Sequence, residues 1–180
     1  MSETIQIQRY NTTLIIVHWL MAIMILGMIG LGFYMVGLEK GSAERSYFFA
    51  LHKSIGLTLA LLVIFRLFWR IRSGVPALPD VAKPYEKKLS AIVHHSLYLL
   101  LFLQPLTGYI SSSFSGYKTK FWGMPLPHWG WKNKELNNFF TEIHDICALI
   151  LIAVLVLHIA GVVHHLLKKE THILKRMWFG

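Results

Sequence analysis

The stretch Glu142-Ile-His-Asp-Ile-Cys-Ala-Leu-Ile-Leu-Ile-Ala-Val-Leu-Val-Leu-His-Ile-Ala-Gly161 decides how the rest of the chain is read. It is almost wholly apolar but carries a histidine at each end, His144 and His158. Fourteen residues of α-helix rise about 21 Å and turn through about 1400°, roughly 40° short of four full turns. Both imidazoles therefore leave one face of one helix, each near an edge of a bilayer core ~30 Å thick. Ionisable groups inside a membrane helix are costly and call for partners or a function. Two of them at two depths call for two partners at two depths.

The wider composition agrees with a membrane setting. The 180 residues are 54% hydrophobic, with a mean hydropathy of +0.49. Four runs are long enough to span a bilayer, near residues 14–36, 50–71, 89–111 and 141–167. The expectation is a single-domain, all-α integral membrane protein: a four-helix up-down bundle over residues 1–180. The first run is too long for a cleaved signal peptide and contains a histidine. The single cysteine, Cys147, lies within a span, so there is no disulfide framework.

The net charge of +9 is distributed as a topology signal and not as a nucleic-acid surface. Arg9, Arg66, Arg70, Arg72, Lys83, Lys87, Lys88, Lys168, Lys169, Lys175 and Arg176 all fall on one side. By the positive-inside rule both termini and the loop between helices 2 and 3 are cytoplasmic. The same cations can anchor anionic lipid headgroups.

In chain order, residues 1–13 are polar and belong at the cytoplasmic surface. Helix 1 places His18 near that surface, beside Trp19, a candidate interfacial anchor, and continues through Gly27, Gly30 and Gly32. His52 starts helix 2 near the outer face, and Gly56 one turn later leaves room beside its ring. Arg66 and Arg70 close that helix as snorkelling cations or as partners of a buried anion such as a haem propionate. Gly74 through Pro84 is a turn-rich loop. Helix 3 carries His94 and His95 and is expected to break at Gln104-Pro105-Leu-Thr-Gly108. The aromatic connection 112–140 is expected to lie in the outer interface as a lid, with Asn133 capping a helix that runs from Lys134 into the fourth span.

If helices 1 and 2 both pack beside helix 4, His18 meets His158 at the cytoplasmic level and His52 meets His144 at the outer level. Neither level has the thiolates or carboxylates of a zinc site. Opposed imidazoles suit haem iron, whose macrocycle supplies the other four nitrogens. There is no Cys-x-x-Cys-His attachment motif, so haem would be held non-covalently, as b-type. His164 and His165 read as headgroup-facing, and no role falls to His128 or His172. No catalytic residue is named.

The ordered set of motifs resembles the bacterial cytochrome b561 family of di-haem inner-membrane proteins. The resemblance rests on His18-Trp19-Leu20, His52-Lys-Ser-Ile-Gly56, Arg66-Leu-Phe-Trp-Arg70, Gln104-Pro-Leu-Thr-Gly108, His144, His158 and the tail from His164 to Met177. It implies two haem b groups, one on His18 and His158, the other on His52 and His144. It also implies an electron-transfer oxidoreductase exchanging electrons with ubiquinone, and for some members superoxide oxidation at the outer face. Gly56, Arg70 and His94 are further candidate cofactor or quinone contacts. A homodimer is compatible with this reading. Two rivals are a haem-bearing membrane anchor of a larger dehydrogenase and a divalent-metal carrier. The carrier is disfavoured because no carboxylate sits mid-helix.

Overall fold

The computed structural model describes residues 9–76, 83–127 and 129–178. The expectations for residues 1–8, for loop residues 77–82 and for His128 lie outside them. Four long helices follow in order: α1 (Thr12–Gly37), α2 (Ala43–Ser73), α3 (Pro84–Phe114) and α4 (Lys134–Leu167). A two-residue-per-strand antiparallel hairpin, β1 (Lys120–Phe121) and β2 (Met124–Pro125), interrupts the α3–α4 connection. A short α5 (Thr171–Lys175) ends the chain. All four long helices are apolar and long enough to cross a membrane. The protein is an all-α bundle of four helices able to cross a membrane.

Each helix begins where a side chain can satisfy otherwise unpaired amides. Asn11 Oδ1 accepts from the Thr13 amide (2.9 Å), Ser42 Oγ from Arg45 (3.1 Å) and Asn133 Oδ1 from Leu136 (3.0 Å). Pro84 opens α3, where a missing N–H costs nothing, and the Lys83 amide donates to Glu86 Oε2 (2.9 Å). Because of these caps the helices outrun the apolar spans. The outer connection shortens correspondingly to residues 115–133.

α3 does not break at Pro105 but continues to Phe114. The Thr107 hydroxyl donates to the carbonyls of Leu103 (2.9 Å) and Gln104 (3.0 Å), one turn earlier on the same helix. The expected packing also needs correction. α1 packs along α2, α2 along α3 and α3 along α4, but among the described residues α4 has no close backbone contact with α1 or α2. Side chains alone span that opening.

The apolar core lies at mid-height. Val17, Met21 and Ile25 of α1 repeat every fourth residue and meet Leu59 and Val63 of α2. Tyr98 and Leu101 of α3 and Leu155 of α4 close around them. Outward-facing side chains such as Ile23 (69% exposed) and Phe33 (64%) are left for lipid. This core separates the two ends of the bundle.

The end bearing both termini is tied by the C-terminal segment. The Trp19 indole donates to the Met177 carbonyl (2.8 Å) and meets Trp178 edge-on, so Trp19 holds the tail and is more than an interfacial anchor. Arg176, only 4% exposed, donates to the Pro76 carbonyl, and the Tyr10 amide donates to the Arg176 carbonyl (3.1 Å). His165 pairs with Glu170 (2.7 Å) and His164 lies 3.7 Å from Glu86, so both have protein carboxylates as partners in place of headgroups alone. Lys168 bonds Glu86 (2.9 Å), which raises the ammonium's pKa above its ordinary value.

At the outer corner Arg45 ties α1 to α2. Its guanidinium donates to the carbonyls of Met35 (3.3 Å), Val36 (3.0 Å) and Leu38 (2.6 Å), which terminate α1. Charged hydrogen bonds to helix-end carbonyls complement the dipole there. Arg45→Ala is expected to cost about 1–3 kcal/mol, read as a lowered thermal unfolding midpoint in detergent. An unchanged midpoint would show that this clamp carries no stability.

Candidate functional site

The structure brings the four singled-out histidines together in two pairs. His18 of α1 and His158 of α4 have ring centres 6.3 Å apart, inclined at 73°. His52 of α2 and His144 of α4 have ring centres 6.2 Å apart, inclined at 75°. No hydrogen bond joins the rings within either pair. Each pair spans the opening between α4 and the α1–α2 layer.

The spacing on α4 recurs on every helix. On α1, fourteen residues separate His18 from Gly32; on α2, His52 from Arg66; on α3, His94 from Gly108; and on α4, His144 from His158. Each helix therefore contributes one residue to each of two levels. The basic level holds His18, Arg66, His94 and His158. The outer level holds Gly32, His52, Gly108 and His144.

At the outer level the glycines make room for the rings. A Cβ on Gly32 would lie 3.8 Å from His52 Cε1, and one on Gly108 would lie 3.0 Å from His144 Cε1. Gly56, expected beside His52, instead faces Met28, whose Cε would sit 3.6 Å from its Cβ. His144 is oriented by α3. Its Nδ1–H donates to the Gln104 carbonyl (2.9 Å), because a carbonyl can only accept, and its Nε2 is left as the basic nitrogen. The Gln104 side-chain amide reaches that Nε2 at 3.1 Å. His52 Nδ1 is buried and has no hydrogen-bond partner.

The basic level is more polar. The His94 ring centre lies 5.2 Å from that of His158, and its Nδ1–H donates to the Ser90 carbonyl one turn earlier (2.6 Å). His94 Nε2 is therefore an acceptor. Arg66 bonds the Tyr98 hydroxyl, and the guanidinium carbons of Arg66 and Arg70 lie 5.4 and 5.7 Å from the Tyr98 ring centre. Arg66 Nε is buried and unpartnered. His95 donates to the Ala91 carbonyl (2.6 Å) and is exposed, away from the pair. Sequence reading did not place Gln104 or Tyr98 in the site, and it gave Gly32 only as one of three glycines allowing close approach of a helix or a flat ligand. The ring-to-backbone bonds of His94 and His95 left no signal, because every helical residue has a carbonyl four positions before it.

Residues 9–180 match the family described as prokaryotic cytochrome b561. The chain belongs to that family. It is 30% identical to cytochrome b561 homolog 2 of Escherichia coli (strain K12) over 98% of this chain and 95% of the relative. It is 25% identical to cytochrome b561 homolog 1 of the same organism, over 94% of this chain and 97% of the relative. It is also 25% identical to the probable superoxide oxidase CybB of Yersinia pestis, over 94% and 96%. The protein is thus a membrane cytochrome b that binds haem b and transfers electrons.

The residues present fit such a group. A metal–imidazole bond of about 2 Å on each side, plus the distance from nitrogen to ring centre, puts two trans imidazole centres about 6.3 Å apart. Both pairs stand at that distance. The Nδ1 bond of His144 to a backbone carbonyl is the contact that fixes the tautomer of a metal-binding histidine. Among the described residues no group of three or more His, Cys, Asp or Glu side chains could hold a bare metal ion.

Gly108→Val is expected to push His144 off its present rotamer and lower haem retention at least tenfold. Gly27→Ala, where a Cβ meets nothing within 4 Å, should leave retention unchanged. The haem-to-protein absorbance ratio checks both, and wild-type retention in Gly108→Val would refute the close-fit role.

Proposed function

We propose that the protein carries single electrons between two haem b groups, one on His18 and His158 and one on His52 and His144. The observation that supports this most is the pair of ring separations, 6.3 and 6.2 Å, on one α4 helix whose ligand positions differ by about 21 Å in height. Haem, when bound, supplies the one-electron chemistry. The chain's own residues hold the two rings of each pair 6.2–6.3 Å apart and would surround the cofactor with apolar side chains. A haem held by both imidazoles of a pair would have no ligand position free for dioxygen.

A quinone exchanges electrons at the basic level. There the positions equivalent to the outer glycines are taken by polar groups. His94 Nε2, left free because Nδ1 is held by Ser90, can take up a proton from the basic side and pass it to a quinone oxygen as the quinone is reduced. Arg70 and Arg66 can donate to a quinone carbonyl or to a haem propionate. At the outer face the donor is superoxide, a reading supported by the printed function of the Yersinia pestis relative. Each superoxide gives up one electron and leaves as dioxygen. Two such electrons and two protons from the basic side convert one quinone to quinol.

His144→Ala and His158→Ala should each remove one haem and leave the other spectrally intact, as read by low-temperature reduced-minus-oxidised spectra. Loss of neither haem would overturn the ligand assignment. Arg70→Ala and His94→Ala should keep the haem spectrum but slow quinone-linked haem oxidation about tenfold, the loss expected for one general acid–base or positioning group. Stopped-flow traces with a short-chain ubiquinone that match wild type in both variants would move the quinone elsewhere.

A further inference from the structure

Lys53 follows His52 on α2, within a membrane-spanning helix. A lysine near the end of such a helix ordinarily snorkels toward the headgroups. This one turns inward. Its ammonium donates to Ser112 Oγ of α3 at 2.8 Å, and that oxygen lies 2.6 Å from the Thr119 hydroxyl. Ser112 is 5% exposed and Thr119 2%.

The surroundings are closed by the β1–β2 hairpin. The Trp122 amide donates to Ser54 Oγ (3.1 Å), and its indole donates to Thr58 Oγ1 (3.1 Å). Ser54 is itself 5% exposed. The hairpin thus stacks polar contacts against α2, on the two turns that follow His52 and Lys53.

No carboxylate among the described residues pairs with Lys53. The ion pairs there involve His164, His165 and Lys168 with Glu86 and Glu170, all at the opposite end. A charge taken out of water without a counter-charge is costly, and one neutral hydroxyl does not neutralise it. The Ser112–Thr119 pair can turn a hydroxyl hydrogen outward, because either oxygen can be the donor.

We propose that Lys53, Ser112 and Thr119 form a binding site for a small anion, of carboxylate or oxyanion size, at the outer histidine level. The missing counter-charge comes with the ligand. Two sources carry this chemistry: a propionate of the outer haem, or a free anion such as superoxide arriving from the outer side. The inference deepens the reading above and rests on the His52–His144 level being the point where electrons enter.

The test uses the purified holoprotein with Lys53→Met and Lys53→Arg. Two quantities are read: the midpoint potential of each haem component, and the rate of haem reduction by enzymatically generated superoxide at low and high salt. If the ligand is a free anion, Lys53→Met slows reduction about tenfold or more at low salt and flattens its salt dependence, with midpoints unmoved. If it is a propionate, Lys53→Met lowers the midpoint of the outer component alone. In both cases Lys53→Arg restores most of the wild-type behaviour, and either result supports the site. Wild-type midpoints together with wild-type superoxide rates in Lys53→Met would overturn it. If Lys53→Met loses haem, recovery of haem in Lys53→Arg supports a charge requirement, and the same loss in Lys53→Arg overturns it. A haem complement unaffected by His52→Ala would sink the underlying two-haem reading instead, and so distinguishes the two failures.

Discussion

The structure depends on the register of α4. Four turns of helix return a side chain almost to its starting direction, so residues fourteen apart share a face while standing about 21 Å apart in height. The chain uses that interval on all four helices. Two layers result, each with one residue from every helix, and an apolar core built on Val17, Met21, Ile25, Leu59 and Val63 lies between them. Close packing of α4 against α1 and α2 would fill the opening that the imidazole pairs span. Instead α4 leans on α3, and only Leu151 of its length is buried.

The two layers are chemically unlike. At the outer level glycines stand behind the histidines, and a Cβ there would come within 3.0 Å of the His144 ring. At the basic level the positions corresponding to those glycines are His18 and His94, and His94 with Arg66 and Tyr98 makes a polar wall. One level therefore leaves room beside its rings, and the other lines its rings with hydrogen-bonding groups. The C-terminal segment closes the basic end through Arg176 and the Trp19 indole, which ties the tail to the helix that carries His18.

Much of this was legible in the sequence because membrane helices obey few rules. Length and apolarity gave the four spans, Asn133 gave the start of α4, and the histidine depths gave the pairs. What was not legible depended on contacts between helices. Pro105 predicts a break, and that α3 runs on through it to Phe114 shows only in three dimensions. Gly56 looked like the neighbour of His52 because both lie on α2, but the space beside that ring comes from Gly32 on another helix. The fourteen-residue interval was read on α4, where both ends are histidines. On α1, α2 and α3 the partner of each histidine is a glycine or an arginine, which carries no signal until the levels are known.

The most direct test of the account is the haem content of the wild-type protein, measured as the pyridine haemochromogen against quantitative amino-acid analysis of the same sample. The two-level arrangement predicts b-type haem at about two per chain, since each imidazole pair would hold one. One haem per chain would contradict one of the pairs, and none, from cells able to supply haem, would contradict the account as a whole.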